Sequence, residues 1–600
     1  MLHRSTRQVD RSSGRRTRLP DIGQALWHTF ALCTGSLTML DIVIRGATVH
    51  DGTGAPPHPC DVGVSNGAVV EIGRITESAR HVVPADGLVL MPGIVDLHTH
   101  FDAQITWDPT LSPSGALGVT TAVMGNCGFG IAPCPAPLRD TMLRNLSVVE
   151  GMNLDSLRTG VRWGFETFAE YMAQLRATAP YLNVAVFAGH SVIRTAVLGE
   201  KASEQVEPSE SELHAMREEV RAALRAGAIG FASSFSPNHS GYGGRPMPST
   251  IASEGELRAL TAVLGEERTG VFMMATGARA TPDIMESIVA DCGRPGFIST
   301  VLAMYNEARP ELGLSYYERA AQALARGNEL YMLTSCQPLS FDFTLLDPYV
   351  LLSFPAFERV KRAQARELAA IYQDPSFRSQ FRSDLQTPRT GTLFLGNWRH
   401  IEVGETALAE HRRWEGTSIA ELAQSQHRDP VDCFLDLALA EGLQTHFIGK
   451  FFQNVDEGVA PLVRHPAGVI TLSDAGAHLG YMCDAGFGLH FLAHWVRDQK
   501  LFSWEEGIKR LTSEPADRFR IPGRGRLQAG APADLLLIDP DKVGISSPTL
   551  RHDLPGGAAR RVREPLGVHG VWVNGTMVHD GQDYVALDRG PGQVLDRFNP

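Results

Sequence analysis

Cysteine is scarce in this chain, with eight residues in 600. Cys127 and Cys134 lie nearest each other, while Cys33, Cys60, Cys292, Cys336, Cys433 and Cys483 are scattered. That spacing excludes a disulfide framework and points to a reduced, cytoplasmic protein. Long apolar runs are missing too: none approaches the roughly 20 residues needed to span a bilayer. Positive charge is in deficit, 55 Lys and Arg against 67 Asp and Glu, for a net charge of −12. Such a balance argues against nucleic acid and anionic membranes as partners. There is no internal repeat and no low-complexity tract. A chain that is 43% hydrophobic and 20% charged has the composition of a soluble globular protein.

The first 38 residues stand apart. Arg4, Arg7, Arg11, Arg15, Arg16 and Arg18 precede a weakly apolar stretch, Ala25–Cys33, which His28 interrupts. As a targeting signal this is poor, and the expectation is a disordered extension with Met39 opening the folded protein. From there short strands follow: Asp41–His50, Asp61–Val70 with an Asn66-Gly67 hairpin turn, and Gly87–Met91. The same texture returns at the far end in Ala533–Ile538, Gly570–Val573 and Met577–His579. Strands at both termini predict a small β domain assembled from residues 39–92 and 520–600.

Between them lie eight candidate buried strands: Gly93–His100, Gly118–Cys127, Leu182–His190, Ala228–Phe235, Gly270–Gly277, Gly296–Met304, Glu329–Cys336 and Gly468–Asp474. Helical patterns such as Ser209–Ala226 and Glu254–Glu267 separate them. Eight strands alternating with helices predict a parallel (β/α)8 barrel over residues 93–519, a doubly wound open sheet being the alternative. A long insertion at about 337–467, with helical stretches at Phe357–Tyr372 and Ser418–Gln426, follows the seventh strand. Its place on the substrate face predicts a lid or specificity element.

The chemistry concentrates at strand ends. MPGIVDLHTH, Met91 to His100, ends a strand in His-x-His, and the period of two projects His98 and His100 the same way. At a barrel mouth two neutral imidazoles chelate a zinc-class cation. Ser473-Asp474 ends the eighth strand, facing the first across a closed barrel. Asp474 there serves as metal ligand and as base toward a water whose pKa the metal lowers to about 7, unless it only caps the next helix. Cys127, in MGNCGFGIAPCP, offers a thiolate ligand or simply packs.

These motifs carry a resemblance. His98-Thr99-His100, Gly125-Asn126-Cys127-Gly128, Ser473-Asp474-Ala475-Gly476-Ala477-His478 and the tail GRGRLQAGAPADLLLID are similar to those of the N-acyl-D-amino-acid deacylases (D-aminoacylases) of the amidohydrolase superfamily. The likeness runs from about Met39 to Phe598, taking in VEG at Val149–Gly151, GHSVIR at Gly189–Arg194 and HDLPGG at His552–Gly557. It implies a zinc-dependent (β/α)8 barrel, a β-sandwich side domain built from both termini, and hydrolysis of an N-acyl amide. By the same resemblance His98, His100, Cys127 and Asp474 match metal-site positions, and Asp474 matches the catalytic base.

One departure stands out. The family places further metal-binding histidines at the ends of its fifth and sixth strands, where they serve the more tightly held metal. Here those ends read Ala275-Thr276-Gly277-Ala278-Arg279 and Ala303-Met304-Tyr305-Asn306. The expectation is therefore one zinc-class ion per chain, with His190 and His239 as candidate substitute ligands or else structural histidines. His478 and Arg497 are candidates for meeting an anionic group of a small-molecule substrate, Arg being suited to bidentate grip; a surface salt bridge is its commoner fate. The reading is a metal-dependent amide hydrolase. The alternatives are a lactone, ester or cyclic imide hydrolase on the same site, or a non-catalytic binding protein on the barrel. A homo-oligomer is left open.

Overall fold

The structure, a computed structural model, describes residues 39–387, 392–478, 480 and 485–598. The Arg-rich leader, Ala25–Cys33 and Cys483 lie outside the described residues.

All eight expected barrel strands form, and they pair in parallel in chain order: β1 (Ile94–Asp96), β2 (Val119–Met124), β3 (Asn183–Gly189), β4 (Gly230–Ser234), β5 (Val271–Ala275), β6 (Gly296–Ser299), β7 (Leu330–Thr334) and β8 (Gly468–Ile470). Strand β2 shows why such runs fold this way: all six residues of VTTAVM are buried, as a strand covered on both faces requires. Helices fill the outside. The helix Glu210–Arg225 is opened by Ser209, whose hydroxyl accepts from the Glu212 N–H in a capping box, and it buries Met216, Val220, Ala223 and Leu224 on one stripe. Strand β6 is shorter than expected, ending at Ser299 where the chain turns into a short 3-10 helix, Val301–Ala303.

The barrel closes beyond the regular ends of β1 and β8. Thr99 bridges Ala475 in parallel, the His100 N–H donates to Ala475 O at 2.7 Å, and the Asp474 N–H donates to His98 O at 3.1 Å. This seam puts the His-x-His pair and Asp474 side by side.

At the bottom, strands from both termini form one eight-stranded sheet, joined where Val89–Pro92 runs antiparallel to Leu535–Ile538. Alternation sorts its faces. Leu535 and Leu537 join Ile44, Leu90 and Trp572 in the sheet's own core, while Leu536 and Ile538 enter the barrel core. The Asn66-Gly67 turn has positive φ at both residues, 50° and 79°, the geometry that selects Asn-Gly in a tight hairpin.

After β7 the chain leaves the barrel. Leu339–Phe343, Ile401–Val403 and Phe447–Phe452 make a three-stranded antiparallel sheet, with helices around a separate apolar core that includes Phe343, Phe357, Phe434 and Phe447. The chain rejoins the barrel at the helix Asp456–Arg464, whose Val459, Leu462 and Val463 pack in the barrel core, so this layer is shorter than the stretch expected from sequence. Phe357–Tyr372 is two helices rather than one: extended backbone at Ala363 and a capping box built on Gln364 restart the chain. Among the described residues no helix is long and apolar enough to cross a membrane.

Candidate active site

His98 and His100 follow β1 at the barrel mouth, both buried. His98 Nε2 lies 3.2 Å from Asp474 Oδ1 and 3.6 Å from Cys127 Sγ, and His100 Nε2 lies 3.5 Å from the same Asp474 oxygen. His98, His100 and Cys127 each present a ligand atom within 4.8 Å of the others. Donors around a tetrahedral zinc-class ion stand roughly 3.2–3.8 Å apart, and the His98–Asp474, His98–Cys127 and His100–Asp474 pairs fall in that range. His98 Nδ1 is a buried nitrogen with no hydrogen-bond partner.

The backbone that delivers these groups is specialised. Cys127 has φ of 57°, between Gly125 and Gly128 at 82° and 76°. A Cβ on Gly125 would meet Phe187 O at 2.8 Å, and one on Gly128 would meet Ala232 O at 2.7 Å, so both positions need glycine for close approach as well as for φ. Asp102 accepts from the Gly125 N–H at 3.0 Å, and Asn126 Nδ2 donates to Val123 O at 2.9 Å, pinning the loop. On the other side Leu472, Asp474 and His478 all adopt positive φ (85°, 48° and 56°), strain of the kind that clusters at functional sites. Among the described residues Asp474 caps no helix: the next one, Phe487–His490, starts from Gly486 without a side-chain cap. Asp96, fully buried under the pair, accepts from Ser473 Oγ and from the His98 N–H, tying β1 to the β8 loop. Burial, working against those hydrogen bonds, pushes the Asp96 carboxyl up to about 7.

Charge is unevenly divided at the centre: against burial, Glu150 and Asp474 raise His100 well above its ordinary value. Burial opposes ionisation of Asp474, yet His98 and His100 beside it hold its carboxyl well below the usual carboxylate range. Burial lowers His98 to about 4, the neutral form a metal requires. Burial also pushes the Cys127 thiol up to about 11, against the His100 hydrogen bond that lowers it.

Glu150 was missed as a site residue by sequence reasoning, although the VEG tripeptide was noticed. Its Oε1 is 3.1 Å from His100 Nδ1, both side chains being almost wholly buried. The Glu150 carbonyl accepts from the His478 N–H. The carboxylate thus pairs with the imidazole on the side away from Asp474, the kind of outer contact that orients rings in metal sites. A signal was there: Glu150 is the C-cap of the helix Arg139–Val149, an end where the macrodipole disfavours a carboxylate.

Of the two proposed substitute ligands, His239 lines the cavity, with Nδ1 2.7 Å from Ser234 Oγ and its ring edge-on to Phe129. Burial lowers it to about 4. His190 is a correction. Its Nδ1 meets Ser233 Oγ at 2.8 Å and its Nε2 meets Glu256 Oε1 at 2.7 Å, with the ring fully buried, so both nitrogens are already used. Arg497 is another: its guanidinium pairs with Asp498 and donates to Val543 O, outside the cavity. His478 lines the cavity.

The cavity has a volume of about 1000 Å³. At the ends of β5 and β6 it is lined by Thr276, Ser299 and Thr300, so no histidine stands there. The insertion supplies the opposite wall, including Phe341, Phe343, Tyr349 and Phe452 together with Asp342 and His446.

A sequence model of the amidohydrolase family matches residues 81–579. The chain belongs to the amidohydrolase family. It is 27% identical to a D-aminoacylase of Alcaligenes xylosoxydans xylosoxydans, over 93% of this chain and 98% of the relative. It is 29% identical to an uncharacterised protein of Mycobacterium tuberculosis, over 91% and 92%. The crystal structure of an N-acyl-D-glutamate deacylase from Bordetella bronchiseptica, in complex with zinc and a phosphonate that mimics the tetrahedral intermediate, superposes with a TM-score of 0.61 at 25% identity, covering 93% of this chain and all of that one. This amidohydrolase is thus a hydrolase of carbon–nitrogen bonds of the D-aminoacylase type, as its motifs led us to expect.

Proposed function

We propose that this amidohydrolase cleaves the amide bond of an N-acyl-D-amino acid, with one zinc-class ion held by His98, His100, Cys127 and Asp474. The observation that carries the reading is the cluster of His98, His100 and Cys127, with His98 Nε2 and His100 Nε2 both within 3.5 Å of Asp474 Oδ1. One ion rather than two follows from Thr276 and Ser299 at the ends of β5 and β6, where hydroxyls replace imidazoles. The D-aminoacylase and the zinc-bound deacylase among its relatives support both the substrate class and the metal.

When bound, such an ion polarises the scissile carbonyl and lowers the pKa of a water beside it. The chain's own residues do the rest. Asp474, ionised before reaction, accepts the proton of the attacking water and delivers it to the leaving nitrogen. Glu150 holds His100 through Nδ1 and so keeps Nε2 aimed at the centre. Asp96 and Ser473 fix the seam on which Asp474 is mounted. Phe129, Leu472, Met304 and the insertion's aromatic wall line the cavity with apolar surface, which strengthens these polar interactions.

Asp474→Asn tests the proposal. It keeps the size of the side chain and one ligand oxygen but removes the base. Hydrolysis of N-acyl-D-amino acids, stated per metal-loaded site, should fall by roughly 10²–10⁴-fold. Near wild-type turnover with full metal removes Asp474 from the mechanism. A metal-loaded wild type that turns over lactones, esters or cyclic imides but no N-acyl amide transfers the reading to those substrates, and one that turns over none of them favours a binding protein.

A further inference from the structure

The cavity has a second polar spot, remote in sequence from the metal-binding motifs. Asp342, on the insertion's first strand, and His446, just before its last, face one another: His446 Nδ1 lies 2.6 Å from Asp342 Oδ1. The backbone of His446 is fixed on both sides, its N–H donating to Glu405 O at 2.9 Å and its carbonyl accepting from the Gly404 N–H at 2.8 Å. From the C-terminal part of the chain Arg561 reaches in, its Nη2 2.8 Å from both Asp342 Oδ2 and His446 Nδ1. Glu405, mostly exposed, takes the other guanidinium nitrogen at 3.4 Å. Asp342 and Arg561 are 6% and 3% exposed, whereas His446 is 31% exposed and lines the cavity.

Three segments far apart in the sequence therefore spend a buried ion pair on holding one imidazole. Burying charges carries a desolvation penalty that apolar residues of similar volume would avoid, so an ion pair is a poor choice for mere attachment. Around it the wall is apolar: Phe341, Phe343, Tyr349, Leu339 and Phe452. With Nδ1 occupied by Asp342 and Arg561, the Nε2 edge of His446 has no protein partner among the described residues.

We infer that His446, positioned by Asp342 and Arg561, is the subsite that receives the free carboxylate of the substrate, the end opposite the scissile amide. Among the described residues no Lys or Arg lines the cavity, which leaves imidazoles as its nitrogen donors for a carboxylate. His239 and His478 stand at the end that also holds Glu150 and Asp474, a surrounding that repels a carboxylate. His446 has Asp342 and Arg561 at Nδ1 on one side and offers its Nε2 edge to the incoming carboxylate on the other. Asp347, exposed at the cavity's rim, disfavours a second anionic group. The substrate class is then an N-acyl amino acid with an apolar side chain and a single carboxylate.

This inference takes its ligand from the amide-hydrolase reading, so its test is one of binding. Calorimetry on the metal-loaded protein compares N-acetyl-D-leucine with its carboxamide, which has the same shape without the charge. A charge-assisted hydrogen bond predicts about a tenfold or greater preference for the acid, and His446→Gln should abolish that preference while leaving carboxamide binding unchanged. In hydrolysis the same variant should raise KM for the acid with little change in kcat, the signature of lost uniform binding. Equal affinity of the wild type for acid and carboxamide overturns the inference without any variant. So does a His446→Gln protein that keeps the preference. If the wild type discriminates the two ligands but hydrolyses neither, the carboxylate subsite stands and the proposed reaction falls.

Discussion

Replacing Glu150 by Gln separates a support for the metal site from the site itself. The substitution keeps the shape and an oxygen acceptor and leaves the backbone hydrogen bond from His478 intact. It removes the charge that lies 3.1 Å from His100 Nδ1, in a place where neither side chain is more than 5% exposed. Outer partners of this kind are worth about 10–100-fold in metal affinity, or about 1.4–2.7 kcal/mol. The expected zinc affinity of Glu150→Gln is therefore one to two orders of magnitude weaker, read by competition against a chromophoric chelator. The melting temperature should also become more sensitive to chelator, because a ligand of the native state stabilises it in proportion to its affinity. A variant that folds and binds zinc within twofold of wild type refutes the orienting role. A loss beyond about a thousandfold exceeds what an outer partner supplies and makes Glu150 a ligand itself.

His98→Ala combined with His100→Ala should lose the zinc-class ion while the barrel still folds, checked by metal analysis beside circular dichroism. The wild type should carry about one equivalent; two equivalents in the native protein contradict the single-ion reading. Phe434→Ala opens a cavity in the insertion's own core, where Phe434 is 0% exposed against Phe343 and Phe447, and should destabilise by about 3–5 kcal/mol with metal content unchanged. Glu441 accepts from the Ala407 and Leu408 N–H groups, from Thr445 Oγ1 and from His411, and these hold its carboxyl below the usual range despite burial. A depressed folded pKa contributes stability that is present above the unfolded value of about 4.3 and lost as pH falls through the folded one; the wild-type melting temperature should drop in that acid range and that of Glu441→Gln should drop less.

The architecture was legible because its signals are local and repeated. Each barrel strand is a short apolar run bounded by Gly or by a capped helix, and eight repetitions average out single errors. Boundaries were less legible. Gly296–Met304 reads as one apolar stretch, but after Ser299 the Thr300 hydroxyl accepts from the Leu302 N–H and turns the chain, a side-chain contact that apolar periodicity does not register. The helical stretch expected over Phe357–Tyr372 forms, but as two helices, since its break rests on the Gln364 cap and not on any Pro or Gly.

The site divides along the same physical line. His98, His100, Cys127 and Asp474 were legible as candidates because each follows a barrel strand, where local sequence alone says which way a side chain faces. Glu150 ends a helix outside the strand series and acts only through His100, so its importance is a property of the pair, and nothing in VEG encodes the partner. Asp342, His446 and Arg561 are harder still: they lie 104 and 115 residues apart in sequence and meet only because the insertion and the C-terminal segment close over one face. His190 and Arg497 fail in the opposite sense. Both have suitable chemistry at a plausible place in the chain, but Glu256 and Ser233 had already taken the one, and Asp498 with the Val543 carbonyl the other. A chemically able residue becomes a candidate only when its polar atoms are unspent. In this amidohydrolase that criterion keeps the Nε2 edge of His446 and rejects the fully bonded ring of His190.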